Sequence, residues 1–262
     1  MNKLFSRYNV SRKRVLTAAG LLLLCLGLNN YLMPTVAGNS QSVDSQLEVK
    51  ILQVIRKHPE VVMESVKAYQ LKKQEQQQKA QMAFLKRMKA NPKSVIGFSP
   101  TTVAPEQKIV LVNFSDFQCP YCAKAHKVLK QFMTKYKDKV TLVYKHFPLN
   151  STHPEATPSA KASWAAQQQG KFWEFHDALF ENQDKLSESF YIATAKALNL
   201  DIKRFNQDRN SSAATEAINN DIELAQEIGV DATPRLAMNG EPVNGDIQID
   251  NLEAILTQIN KR

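Results

Sequence analysis

The chain has 262 residues, which is enough for one good-sized domain and an additional segment. Its formal net charge is +9, from 34 Lys and Arg against 25 Asp and Glu, and it contains three cysteines. No nucleic-acid-binding motif or interleaving of basic with aromatic residues is present, so we expect no nucleic-acid partner.

The N-terminus has the pattern of a secretory signal peptide. An apolar run over 15–28 follows basic residues and precedes the small-residue stretch Thr35-Val36-Ala37. The basic residues before it are Lys3, Arg7, Arg12, Lys13 and Arg14. The run is shorter than the ~20 residues of a spanning helix, which disfavours a permanent anchor. Bulky Leu24 before Cys25 disfavours a lipoprotein.

We therefore predict a signal peptide over 1–37 and an exported protein. Cleavage after Ala37 removes Cys25 and the five basic residues, which lowers the net charge to +4. The mature chain then holds a single cysteine pair, and this indicates a reactive site rather than a disulfide framework.

Two helices are predicted next, over 47–58 and from Pro59 towards Lys89. The apolar side chains Leu47, Ile51 and Val54 recur at helical spacing, whereas 70–81 is rich in Lys and Gln. One interpretation is a solvated helix on its own domain. The other, which we adopt, is an N-terminal helical oligomerisation segment over 38–90, self-associating through 45–90 as a dimer or trimer.

The connector 91–106 is rich in Pro and Gly and is predicted to be a linker. After it, the apolar run 109–114 reads as a buried strand, followed by Cys119-Pro120-Tyr121-Cys122 and a helix over 123–136. The helix N-terminus favours a thiolate. We predict that Cys119 is the exposed nucleophile and Cys122 the inner, resolving thiol, with Pro120 and Tyr121 tuning the redox poise.

Three other interpretations of the cysteine pair are less well supported. A structural zinc site needs about four Cys or His ligands, and His126 alone does not complete the set. Covalent haem attachment requires His directly after the second Cys, where Ala123 stands. A structural disulfide would close a very short loop and stabilise the fold little. We therefore predict no metal and no cofactor.

The rest of the chain predicts a mixed sheet flanked by helices. A strand over 140–147 precedes a helical block over 155–199, broken at Gly170, and another helix ends at Gly229. Thr233-Pro234 then leads into short strands near 236–238 and 242–244 and a last helix over 249–259. Phe172 and Trp173 are expected in the core, and His126 and His176 on helix surfaces.

The stretch 114–122, Phe-Ser-Asp-Phe-Gln-Cys-Pro-Tyr-Cys, together with Thr233-Pro234, resembles the DsbA-like class of thioredoxin-fold proteins, the bacterial periplasmic thiol–disulfide oxidoreductases. The resemblance covers 107–262. It implies an α/β thioredoxin fold with a helical insertion over about 154–228. It also implies a cis Pro234 facing the cysteine pair, with the backbone at Thr233 and Pro234 binding an extended substrate. Some relatives carry an N-terminal oligomerisation segment on a helical stalk.

One position departs from this pattern. Many thioredoxin-like proteins have a buried carboxylate six residues before the first Cys, where this chain has Asn113. An amide cannot accept a proton from Cys122 at neutral pH. Asp116 is closer in sequence to the pair, but strand alternation does not establish that it faces inward.

We expect a thiol–disulfide oxidoreductase that forms or isomerises disulfides through Cys119 and Cys122. Its expected partners are unfolded or misoxidised exported proteins, a membrane redox partner that recharges the pair, and further copies of the chain. The alternative function is a periplasmic chaperone or scaffold with a secondary redox pair.

Overall fold

A computed structural model describes residues 45–102 and 108–261. The predicted signal peptide lies outside these residues, as do five residues at the end of the predicted linker and the start of the next segment. The chain divides between Pro59 and Glu60 into two compact units. Within the described residues, no helix is long and apolar enough to cross a membrane.

The described part of the first unit is a single amphipathic helix, α1 (Ser45–Lys57). Glu48 lies in its first turn and Lys57 in its last, both favourable for the helix dipole. No residue of α1 is buried. Its apolar face, predicted from the spacing of Leu47, Ile51 and Val54, is therefore exposed to solvent.

The long helix α2 (Pro59–Ala90) has two different halves. Residues 60–76 are all exposed, whereas Phe84 and Met88 are buried against the sheet. The side-chain amide of Gln77 donates to the carbonyl of Gln226 at 3.2 Å. The last turns of α2 are thus part of the core of the second unit.

The sheet has four strands in the order β2-β1-β3-β4: β1 (Ile109–Ser115), β2 (Val140–His146), β3 (Arg235–Met238) and β4 (Glu241–Val243). Strands β1 and β2 are parallel, whereas β3 is antiparallel to both β1 and β4. Among the described residues this is a mixed sheet with helices on both faces. The predicted α/β architecture is confirmed.

Every residue of β1 is buried, because helices cover both faces of the sheet. Val110, Val112 and Phe114 pack with the end of α2 and with α8 (Ser212–Glu227). On the other face, Leu111 packs with α3 (Pro120–Tyr136) and α9 (Ile249–Asn260). The central strand is thereby fixed from both sides just before it reaches the cysteine pair.

The insertion between β2 and β3 forms a second core. It begins with α4 (Ala156–Gln167), α5 (Phe172–Glu181), α6 (Glu188–Ala197) and α7 (Ile202–Arg209). Gly170 separates α4 from α5 with a φ of +71°, a left-handed conformation that glycine adopts without strain. This core includes Phe172 and packs against the cysteine pair, as expected for Phe172; Trp173 lies partly buried at its edge.

The expectation that His126 and His176 lie on helix surfaces is wrong. Their side chains are only 7% and 5% exposed. His126 on α3 stacks on Phe180, and its ring centroid lies 5.2 Å from that of His176 on α5. The face of α3 that carries His126 is covered by the insertion. Helical spacing alone does not reveal this contact, because it joins two segments that are distant in the sequence.

Candidate active site

The cysteine pair lies where β1 ends and α3 begins. Cys119 is the N-cap residue of α3, with extended backbone angles, and Pro120 occupies the first helical turn, where its missing N–H leaves no bond unmade. Both cysteines are free thiols. The expectation that Cys119 is exposed is wrong: it is 4% exposed, against 1% for Cys122. The segment before Pro234 lies over its sulfur.

The environment of Cys119 stabilises its thiolate. A hydrogen bond from the Cys122 thiol, with further bonds from backbone N–H groups at the start of α3, lowers the pKa of Cys119 from 9.0 to about 5, although burial acts in the opposite direction. Donors at a helix N-terminus favour negative charge. At neutral pH, Cys119 is therefore ionised.

Cys122 is in the opposite situation. Burial is the largest cause that raises the pKa of Cys122 far above its ordinary value, and the neighbouring Cys119 raises it further. Cys122 therefore keeps its proton while Cys119 is a thiolate. This asymmetry is what an attacking sulfur and a resolving sulfur require.

The peptide bond between Thr233 and Pro234 is cis and lies next to the pair. The Sγ of Cys119 is 3.5 Å from the carbonyl oxygen of Thr233, so that in its thiol form Cys119 can donate to this oxygen. A groove of about 350 Å³ continues from Thr233 and Pro234 past Tyr121 and Lys124 to residues 245–248. The structure thus brings together all six residues predicted for the site.

Both residues between the two cysteines, Pro120 and Tyr121, are exposed. The side chain of Tyr121 is 67% exposed, and the ammonium of Lys124 lies 5.4 Å from the centre of its ring. A cation at this distance from an aromatic face is attracted to it. Tyr121 therefore forms a wall of the groove beside Cys119, in addition to separating the two sulfurs along the chain.

Asp116 faces inward, which strand alternation could not establish, but it holds the backbone rather than contacting a sulfur. Its Oδ1 accepts from the Gln118 N–H at 2.8 Å, and its Oδ2 accepts from the Leu149 N–H at 3.0 Å. Its Oδ2 also lies 2.7 Å from Nδ1 of His153. The carboxylate thus ties the turn before the cysteines to the loop after β2.

Gln183 is a positioning residue that the sequence did not reveal. Its side-chain amide donates to the carbonyl oxygens of Phe117 at 2.6 Å and Cys119 at 3.0 Å. It lies in a short 3-10 helix after α5, 64 residues beyond Cys119. No sequence pattern marks it, because its role depends on where the insertion packs.

Asn113 lies on the inner strand beside Cys122, as its sequence position predicts. It is 4% exposed, its Oδ1 has no hydrogen-bond partner, and it lines a cavity of about 410 Å³ together with Cys122. No carboxylate occupies this position. The same cavity reaches His126, His176 and Asp177, whose side chains could hold a metal ion.

The comparisons with known proteins agree with this architecture. The profile of a family described as thioredoxin matches residues 99–258, more than half of the chain, and the chain belongs to that family. The solved structure of a thioredoxin-like oxidoreductase from Silicibacter pomeroyi has 28% sequence identity and a TM-score of 0.57. The match covers 63% of this chain and 93% of that one.

Two further structures show the same fold. ScsC from Proteus mirabilis, in a transitional conformation, has 22% identity and a TM-score of 0.59, with 83% of this chain and 97% of that chain covered. The thiol–disulfide exchange protein α-DsbA2 from Wolbachia pipientis has 18% identity and a TM-score of 0.59, covering 69% and 96%. The fold is therefore that of DsbA-like and ScsC-like proteins. Family and fold together support thiol–disulfide oxidoreductase chemistry in general.

The curated relatives are much longer proteins. A Na(+)/H(+) antiporter NhaA 1 from Mycolicibacterium vanbaalenii is 40% identical over 134 residues, which are 50% of this chain and 22% of the antiporter. An antiporter NhaA 3 from Salinispora tropica is 34% identical over 149 residues, or 57% and 23%. The chain matches less than a quarter of the length of these proteins.

Proposed function

We propose that this protein forms or isomerises disulfide bonds in exported proteins, with Cys119 as the nucleophile and Cys122 as the resolving thiol. The observation that carries the proposal is that the two pKa values shift in opposite directions. The pKa of Cys119 is lowered to about 5, whereas the pKa of Cys122 is raised far above its ordinary value. The groove that begins at Thr233 and Pro234 supports the binding of an extended segment beside the reactive sulfur.

In the oxidative direction, a substrate thiolate attacks Sγ of Cys119 in the oxidised pair. The Cys119–Cys122 bond breaks, a substrate–Cys119 disulfide forms, and Cys122 leaves with the electron pair and takes up a proton. A second substrate thiolate then attacks the substrate sulfur and releases Cys119 as its stable thiolate. Two electrons pass from the two substrate thiols to the pair, which a membrane redox partner must reoxidise.

In isomerisation the reduced pair begins the reaction. The Cys119 thiolate attacks an incorrect disulfide, forms a mixed disulfide and releases one substrate thiolate, which attacks another disulfide of the same substrate and frees a different thiolate. That thiolate then attacks the substrate sulfur of the mixed disulfide and releases Cys119 as its thiolate. If the substrate does not resolve the mixed disulfide, the Cys122 sulfur displaces it after losing its proton. In that case the pair becomes oxidised, the substrate leaves reduced, and the membrane partner must reduce the pair.

Periplasmic location and self-association belong to the same proposal. The basic and apolar pattern of 1–37 supports export. The exposed apolar faces of α1 and of the first turns of α2 support a homo-oligomer through 45–90, since Val54 and Met63 are 60% and 67% exposed. Paired or tripled sites around one cleft suit a misfolded chain with several incorrect disulfides.

A Cys119→Ser substitution tests the enzymatic function. We expect refolding of a scrambled disulfide substrate to fall below about 1% of the wild-type rate, because the attacking sulfur is lost. Lys127→Gln, on the exposed side of the same helix, is the matched control and should retain the wild-type rate. If Cys119→Ser refolds the substrate normally, the chaperone alternative replaces this proposal.

A further inference from the structure

A group of metal-ligating side chains lies inside the protein, next to the redox pair but separate from its sulfurs. His126 on α3 and His176 and Asp177 on α5 each offer one ligand atom, and within the described residues these atoms all lie within 4.8 Å of one another. Nδ1 of His176 is 3.0 Å from Oδ1 of Asp177, and Nε2 of His126 is 4.0 Å from the same oxygen.

We propose that His126, His176 and Asp177 form a binding site for a borderline divalent cation of the Zn²⁺ class. Two ligands of a tetrahedral zinc ion lie about 3.3 Å apart, given metal–ligand distances near 2.0–2.1 Å. The separations of 3.0 and 4.0 Å to the Asp177 oxygen lie on either side of this value, and all three ligand atoms lie within 4.8 Å of one another, so that rotations of the side chains would bring the atoms to it. Two imidazoles and one carboxylate are ligands that these cations prefer.

The second observation is an unpartnered nitrogen. His126 is 93% buried, and its Nε2 has no hydrogen-bond partner. A buried polar atom without a partner is costly, and native proteins rarely leave one unexplained. Burial also lowers the pKa of His126 to about 4, so that the ring is neutral and has a lone pair available.

The site has room for an ion and a route to it. The three side chains line the cavity of about 410 Å³, whose other walls include Thr134 and Lys137. Both of these residues are exposed, so the cavity opens towards solvent along α3. An ion held by three protein ligands keeps a position for water or another ligand.

Lys130 is the group that opposes a cation. Its Nζ lies 2.9 Å from Oδ2 of Asp177 and 2.8 Å from Oε1 of Glu181. Because Lys130 contacts the outer oxygen of Asp177, the inner oxygen still faces both histidines. When a cation binds Asp177, Lys130 still has its ion pair with Glu181.

The prediction of no metal rests on the cysteine pair alone, for which His126 does not complete a zinc ligand set. The cluster proposed here uses neither sulfur. It is therefore to be tested with the pair oxidised to a disulfide, so that no thiolate is available. The metal-site proposal does not depend on the proposed disulfide exchange, and either can be wrong without the other.

The test is titration of the full oxidised protein with Co²⁺, followed by displacement with Zn²⁺. We expect visible absorption bands of tetrahedral or five-coordinate Co²⁺ without a sulfur-to-metal charge-transfer band. Added Zn²⁺ should remove these bands and raise the midpoint of thermal unfolding, because a ligand of the native state stabilises it. Absence of Co²⁺ bands at millimolar Co²⁺ would overturn the proposal.

Three variants make the assignment specific. His126→Gln should weaken Co²⁺ binding at least about tenfold, since loss of even an outer hydrogen-bond partner of a ligand costs 10–100-fold. Lys130→Gln should strengthen binding, a gain that a damaged fold would not produce. His58→Gln, which changes an exposed histidine outside the cluster, should bind as wild type does. Equal affinity in His126→Gln and wild type would contradict the site, as would an equal loss in His58→Gln.

Discussion

At the scale of single residues, the site depends on one sulfur being ionised while its neighbour, three residues later, is not. The Cys122 thiol contributes most to lowering the pKa of Cys119, and the Thr233 side chain and the first N–H groups of α3 lower it further. Each donor favours charge on Cys119, and the burial of Cys122 prevents it from ionising in turn. The difference arises from position at the helix end, because the two side chains are chemically identical.

The pH profile of alkylation tests this difference. With the pKa of Cys119 at about 5, its labelling by iodoacetamide should keep about nine-tenths of its maximal rate at pH 6. An ordinary thiol with a pKa near 9 would have only about a thousandth of its maximal rate there. Stopped-time labelling of the reduced protein, with mass spectrometry to assign the site, measures the profile.

The variant Cys122→Ala tests whether the Cys122 thiol is the cause of the low pKa of Cys119. It removes the main hydrogen-bond donor to Cys119, so that the midpoint of the profile should move to higher pH. A wild-type rate that still rises tenfold per pH unit between pH 6 and 8 would contradict the ionised state of Cys119.

His146, at the end of β2, predicts acid sensitivity. Burial is the main cause that lowers the pKa of His146 from 6.5 to about 4, and neither of its ring nitrogens has a hydrogen-bond partner. Between pH 6.5 and 4 the unfolded chain therefore binds a proton that the folded chain does not. The free energy of unfolding must fall as the pH falls through this range and level off below it.

Replacing His146 with Phe removes this titration. We expect the loss of stability between pH 7 and pH 5 to be about 2 kcal/mol smaller in His146→Phe than in wild type. Urea unfolding at the two pH values measures it. The exposed His58→Gln should show the wild-type difference, and an unchanged difference in His146→Phe would show that His146 does not titrate as the burial requires.

At the scale of elements, the β3–β4 turn joins the sheet to α2. Asn239 and Gly240 both have positive φ, +45° and +81°, as a two-residue hairpin turn needs. The Asn239 side chain accepts from the Val110 N–H at 2.8 Å. A Cβ on Gly240 would overlap the carbonyl oxygen of Leu85 and crowd Lys89. The close approach of α2 therefore depends on glycine at this position.

Gly240→Ala should destabilise the protein by about 1–3 kcal/mol more than Gly170→Ala. Both glycines have similar positive φ, so the two variants share the backbone strain. Only Gly240 faces another backbone, because nothing lies within 4 Å of a Cβ built on Gly170. Thermal and urea unfolding measure the difference, and equal destabilisation would mean that the end of α2 is not seated on this turn.

The elements that could be predicted from sequence are those with local signals. Strand β1, the Cys119–Cys122 turn and α3 are adjacent in sequence, and an apolar run, a proline and helical spacing define them. Gln183, His126 and His176 could not be placed in the same way. Their positions depend on how the insertion packs on α3. This packing joins segments 50 or more residues apart, and local periodicity in the sequence carries no information about it.

At the scale of the whole molecule, the prediction to test is self-association through α1. Ile51 and Val54 are 47% and 60% exposed on its apolar face. The double substitution Ile51→Asp and Val54→Asp should convert an oligomer into a monomer, because two buried charges without partners cost more than such a contact supplies. Light scattering measures the molar mass. Gln53→Asp, an exposed polar position on the same helix, should keep the wild-type mass.

A monomeric wild-type chain at micromolar concentration would contradict the oligomer. In that case the exposed apolar residues of α1 would need another partner. The catalytic core should be unaffected by the double substitution, since α1 buries none of its residues in the described structure.

The C-terminal half of α2 packs in the catalytic core, and its N-terminal half projects from that core. The 17 residues from 60 to 76 are exposed, and at 1.5 Å per residue they extend about 25 Å beyond the first contact at Gln77. A helix anchored at one end holds its other end at a set distance from the core, whereas a flexible linker sets only the largest distance that is possible. Removing two turns from 60–76 would shorten this projecting segment by about 10 Å and would leave the surroundings of both sulfurs unchanged.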